Sequence, residues 1–140
     1  MRVLHIINLT SVLFATEPDM TTTEADPDFH WLVGIMEGEG CFTRQVNKGN
    51  GYSLRIILKM TDEDIVRRAH SLFECGSIYK KISTNPKHSD SWTLQINGPK
   101  ANALMLKLQP FMGIRRSARI EELINEYNSR PHRRSPKSQR

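Results

Sequence analysis

The sequence predicts an α+β domain in which one four-stranded antiparallel sheet carries helices on one face. Three observations lead there. Residues 53–60 and 91–96 alternate apolar and polar side chains with the two-residue period of half-buried strands. The turn-rich stretch Asn47-Lys48-Gly49-Asn50-Gly51 joins the first of these to an earlier strand-like segment, as in a hairpin. Apolar stripes at helical spacing, punctuated by Asp-Pro, Gly and Pro, lie before, between and after the strands.

The elements follow in chain order. Asp26 caps a helix whose first position is Pro27, since the aspartate oxygen can accept from free amides and proline lacks one. This helix is expected to end at Met36 or Glu37, stopped by Gly38 and Gly40. Residues 41–47 form the first strand. In the second, Leu54, Ile56, Leu58 and Met60 face the core. Thr61 or Asp62 caps a helix over 63–74, closed by Gly76. Residues 77–82 are a third strand, 83–90 a loop, and 91–96 a fourth strand with Trp92, Leu94 and Ile96 inward. Pro99 opens a helix with Ala101, Leu104 and Leu108 on one stripe, which Pro110 interrupts. A last helix over 115–128 turns Ile120, Leu123, Ile124 and Tyr127 inward. The order is α-β-β-α-β-β-α-α.

A chain of 140 residues is long enough for one domain with a real core. That domain spans 27–128, between an extension over 1–26 and a basic tail over 129–140, both expected to be disordered. Residues 1–15 form a short apolar segment that reads either as a secretory signal or as an extension upstream of a start at Met20. No apolar run is long enough for a membrane span. Cys41 and Cys75 stand apart, in neither a disulfide framework nor a zinc pattern, and no histidine pair has metal-ligand spacing. Net charge is +5, unevenly spread: residues 1–40 hold one basic and seven acidic residues, whereas 41–140 hold 19 basic and 8 acidic. A basic body suits a polyanion, and it also suits a protein whose charge only keeps it soluble.

One stretch is more specific. Leu32-Val33-Gly34-Ile35-Met36-Glu37-Gly38-Glu39-Gly40 ends the first helix and precedes the hairpin. The αββαα order follows, and Leu108-Gln109-Pro110-Phe111 precedes the basic pair Arg115-Arg116. Over about residues 28–128 the chain resembles single-motif LAGLIDADG homing endonucleases. The resemblance implies a homing-endonuclease-like αββαββα core with a saddle-shaped sheet. It implies a site-specific, metal-dependent double-strand DNA endonuclease of a mobile intron or free-standing invading gene, working on intracellular DNA rather than secreted. The alternative within that resemblance is a non-cleaving nucleic-acid-binding protein, a splicing helper or a transcription regulator. The partners implied are double-stranded DNA and a second copy of the chain, with no membrane and no small-molecule substrate.

The pattern has a physical rationale. Gly34 and Gly38 lack a Cβ, so two such helices can pack closely at a two-fold axis, with Ile35 beside them at the dimer interface. Glu39 then meets its symmetry mate, and paired carboxylates favour a hard divalent cation such as Mg2+. One motif per chain requires a homodimer, hence a roughly palindromic target. By residue matching Glu39 is the metal-binding catalytic carboxylate, Glu37 is structural or supports the metal ligand from behind, Arg115 is the basic residue near the scissile phosphate, and Asp62 positions water. A two-stranded ribbon fits the major groove. The sheet face opposite the core then supplies Thr43, Gln45, Asn47, Arg55, Lys59, Tyr79, Lys81, Thr93 and Gln95 as DNA contacts, or else is an ordinary solvated face. Arg44 and Lys80 fall on the core side and are excluded. Lys48, Lys100, Arg116 and the tail arginines are candidate phosphate contacts.

Overall fold

In the computed structural model, residues 26–49 and 51–130 are described; the extension, the possible signal, the start at Met20 and the tail arginines beyond Arg130 lie outside them. Helix α1 (Pro27–Glu39) leads into strand β1 (Gly40–Asn47) and its hairpin partner β2 (Gly51–Met60). Helix α2 (Glu63–Phe73), strands β3 (Ser77–Lys81) and β4 (Ser91–Asn97) and helix α3 (Pro99–Leu108) follow. A short 3-10 turn (Gln109–Phe111) then precedes helix α4 (Ile114–Ser129). The sheet is antiparallel, in the order β1-β2-β4-β3.

The start of α1 follows its cap. Asp26 Oδ1 accepts from the amides of Asp28 at 3.1 Å and Phe29 at 3.2 Å, with Pro27 in the first turn. Its end does not follow the sequence expectation. The helix runs through Gly38 to Glu39, and only Gly40 stops it. A Cβ on Gly40 would lie 2.6 Å from the carbonyl oxygen of Met36, so the chain must leave the helix there as a bare glycine. A residue after α2, Glu74, adopts the left-handed region at φ 56° and Gly76 follows at φ 99°, which turns the chain back into β3.

The core lies between the helices and one face of the sheet. Leu54, Ile56 and Leu58 of β2 meet Leu94 and Ile96 of β4, over Met36, Val66, Ala69, Met105, Leu108, Ile120 and Leu123 from the four helices. Trp92 and Met60 are only partly buried at its margin. On α3 the buried stripe is Ala101, Met105 and Leu108, with the expected Leu104 partly buried beside it. Removing a side chain as enclosed as Leu54 costs about 2–5 kcal/mol.

Arg44 and Lys80 stand on the core side, as the alternation predicts, but beyond the apolar layer. Arg44 pairs with Glu126 of α4 and lies over the Tyr52 ring, 5.6 Å from its centroid. The hydrogen bond with Tyr52 raises the Arg44 pKa, and burial raises that of the Tyr52 phenol. Lys80 Nζ sits 5.5 Å from the Trp92 ring centroid and 3.3 Å from Asp90 Oδ2. The amphipathic stems thus close the core at two corners where the apolar pattern stops.

Candidate functional site

The foot of α1 and the ends of β2 and β4 meet around an open depression of about 400 Å3, lined by Glu39, Lys59, Met60, Thr61, Asp62 and Ser91. Gly40 makes this meeting possible. It is the cap of α1, donating to the Met36 carbonyl, and at the same time the first residue of β1, opposite Leu58 of β2. Glu39 is therefore fixed where the helix becomes the strand. Asp62 occupies the cap position of α2, yet its carboxylate makes no capping hydrogen bond. The side chains of Glu39, Lys59 and Asp62 have no hydrogen-bond or ion-pair partner among the described residues. Two uncommitted carboxylates with the hydroxyls of Thr61 and Ser91 are all-oxygen donors, the set suited to a hard divalent cation. Within one chain, no three His, Cys, Asp or Glu side chains gather into a metal-binding group among the described residues.

Arg116 does not present its charge to solvent as sequence reasoning expected. Its Nε donates to the Glu37 carbonyl at 2.6 Å, Nη2 approaches that of Gly38 at 3.4 Å, and Nη1 donates to that of Gly40. The reason is that these carbonyls at the end of α1 have no helical donor ahead of them. The Glu37 carboxylate completes a clasp, lying 3.7 Å from Arg116 Nε and accepting the Gly113 amide at 2.9 Å, at the start of α4. Arg115, next to this clasp, is exposed and without a partner among the described residues, and it is not part of the depression lining.

The open face of the sheet carries the remaining sequence candidates. Thr43, Arg55 and Asn97 form one row across β1, β2 and β4, and Lys59, Thr93 and Tyr79 another across β2, β4 and β3. Gln45, Asn47, Lys59, Tyr79 and Lys81 are exposed; Thr43, Arg55 and Gln95 are half-buried. Thr93 departs from expectation: it is only 4% accessible, because it sits on an inner strand between Lys59 and Tyr79. Asn97 was missed. Extending the alternation of Thr93 and Gln95 by one more step would have found it. It accepts from Arg55 Nε at 3.0 Å and from Gln95 Nε2 at 3.2 Å.

Along α1, Gly34 and Gly38 are exposed, and a Cβ on either would meet nothing within 4 Å in the single chain. Ile35 is partly buried against the core of its own chain. Among the described residues no helix is long and apolar enough to cross a membrane.

A family profile described as LAGLIDADG endonuclease matches residues 32–111, more than half of the chain. The chain is 32% identical over 85 residues to a probable intron-encoded endonuclease aI3 of Debaryomyces hansenii, covering 54% of this chain but only 12% of that protein's length. Its fold is similar to the homing endonuclease I-CvuI crystallised with its target (TM-score 0.57, 15% identity, 68% of this chain and 62% of that one). It is also similar to the archaeal intron-encoded homing endonuclease I-Vdi141I complexed with DNA (TM-score 0.53, 16% identity, 74% and 72%).

Proposed function

The chain belongs to the LAGLIDADG endonuclease family, and on that footing we propose that it is a site-specific endonuclease that binds double-stranded DNA as a homodimer and hydrolyses one phosphodiester in each strand. The observation that carries this reading is the set of uncommitted charged groups, Glu39, Asp62 and Lys59, around one depression at the edge of a polar sheet face. Lys59 belongs to both, since it stands on the open face and lines the depression.

Glu39 and its mate from the second copy would hold a divalent metal, with Mg2+ the fitting choice for carboxylate donors. When bound, such a metal lowers the pKa of water and stabilises charge on the transferring phosphate. Asp62, with no capping hydrogen bond to occupy it, orients a water by accepting from it. Lys59 and Arg115 offset the negative charge of the phosphodiester. Gly34 and Gly38 give the second copy a surface without side chains to pack on, and Ile35 flanks it. Gln45, Asn47, Tyr79 and Lys81 extend the groove-facing surface, and Lys48 and Lys100 contact phosphates.

The deciding experiment offers the purified protein a randomised duplex library with Mg2+, in parallel with Glu39→Gln. Selective cutting by the wild type alone supports the endonuclease. If both bind equally and neither cuts, the chain is a non-cleaving nucleic-acid-binding protein. Sedimentation on the selected duplex should show two chains per site.

A further inference from the structure

The polar side chains of the open face do not act as independent contacts. Arg55 of β2 stands directly opposite Asn97 of β4, and its Nε donates to Asn97 Oδ1 at 3.0 Å. The same oxygen accepts Gln95 Nε2 at 3.2 Å. Gln95 Oε1 in turn accepts the Tyr79 hydroxyl of β3 at 3.5 Å. The chain of bonds therefore runs Tyr79–Gln95–Asn97–Arg55 across three neighbouring strands.

This arrangement divides the donors and acceptors unequally. Both lone pairs of Asn97 Oδ1 are used. Gln95 uses one of its two carbonyl lone pairs on Tyr79 and one of its two amide hydrogens on Asn97. Its amide is thereby tied on both sides and keeps one lone pair and one N–H. Arg55 has spent only Nε; Nη1 and Nη2 have no partner among the described residues. With Nε tied, the guanidinium plane is held, and its two terminal nitrogens offer two parallel N–H groups. Guanine alone among the bases presents two acceptors, O6 and N7, side by side in the major groove. Adenine puts a donor in the place of one of them.

Resting on the DNA-binding reading above, we propose that Arg55 reads a guanine in each half-site, with Asn97 as its positioning residue and Gln95 and Tyr79 as the brace behind Asn97. Pre-tying the guanidinium lowers the ordering cost that a free arginine meets on binding. Two-fold symmetry places the two guanines at dyad-related positions, one on each strand.

The test is selection of bound duplexes from a randomised library in Ca2+, using the full chain and its variants Arg55→Ala, Arg55→Lys, Asn97→Ala and Gln95→Ala, each checked by circular dichroism. The wild type is expected to enrich guanine at one symmetric pair of positions. Arg55→Ala should erase that preference alone, a loss of roughly 5- to 150-fold in discrimination, the span of a bidentate arginine–guanine pair. Asn97→Ala and Gln95→Ala should both weaken the preference at the same pair and leave the others intact. Arg55→Lys should keep part of it. If Gln95→Ala relaxes a different position, or if Arg55→Ala changes none, the proposal is overturned while the endonuclease reading stands. A wild type that selects no duplex overturns both.

Discussion

Arg116 and Glu37 are bound to each other twice: the arginine Nε donates to the glutamate carbonyl at 2.6 Å and faces its carboxylate at 3.7 Å. Helix α1 therefore ends on a side chain of α4. Arg116→Ala would leave the carbonyls of Glu37, Gly38 and Gly40 without this donor. Loss of hydrogen bonds from a charged donor is expected to cost about 1.5–3 kcal/mol, read as a lowered urea midpoint. Arg116→Lys should recover only part, since an ammonium lacks the planar fork. An unchanged midpoint for Arg116→Ala would show that the clasp does not hold in solution.

Glu39→Gln should separate cutting from binding. The carboxylate is exposed and partnerless among the described residues, so its loss disturbs no contact of the fold. Cleavage in Mg2+ is expected to fall roughly a thousand-fold, the equivalent of several kcal/mol of metal-assisted stabilisation. Gel-shift affinity in Ca2+ should change by less than about threefold, under 1 kcal/mol. A variant that still cuts at the wild-type rate would remove Glu39 from the chemistry.

Two glycines of the same motif should respond oppositely to alanine. At Gly40 an added Cβ lies 2.6 Å from the Met36 carbonyl oxygen, a backbone atom that cannot move aside alone. Gly40→Ala is expected to destabilise the single chain by about 1–3 kcal/mol in thermal melts. At Gly34 the Cβ meets nothing within 4 Å. Gly34→Ala should therefore raise the stability of the isolated chain by about 0.5–1 kcal/mol, as for glycine inside a helix. It should also weaken dimerisation in sedimentation. A Gly34→Ala dimer as tight as the wild type would place the subunit contact elsewhere.

Asp90 accepts the Ser83 amide at 2.9 Å and lies 3.3 Å from Lys80 Nζ. Both favour the ionised form, the backbone hydrogen bond foremost, and hold the carboxyl below its ordinary value of 3.8. The tie between residues 83 and 90 is thus fully present above that ordinary value. It is lost as pH falls through the lowered one. Side-chain NMR titration should give Asp90 a midpoint below the usual aspartate, and protection of the Ser83 amide should fall with it. Asp90→Asn should remove this acid dependence; an Asp90 midpoint at or above the ordinary value would contradict the hydrogen bond.

The layers of the fold were legible because burial imposes period. Leu54, Ile56 and Leu58 alternate in sequence and all lie in the core. The end of α1 was less legible, because Gly38 looks like a stop yet sits inside the helix, and only the space around Gly40 decides where helix ends. Arg116 was misread for a different reason. Its partners lie 76 to 79 residues earlier and are main-chain carbonyls, which leave no trace in side-chain pattern. Thr93 has the right parity for the open face, but parity does not register that Lys59 and Tyr79 flank it on both sides.

Gly40 is shared between the cap of α1 and the first pairing of β1, with no connecting residue between them. The same unbroken stretch carries Glu39 on one side of that glycine and Thr43 and Gln45 on the other. A change that tilts α1 also re-aims the outer strand, so on the proposed endonuclease reading drift toward a new target through β1 would carry a penalty in turnover. Strands β3 and β4 join the helices through Gly76 and Gly98, both at positive φ, and are free of that linkage. On the same reading, lineages exploring new sites are expected to accumulate changes first on β3, at Lys81, with β1 following later.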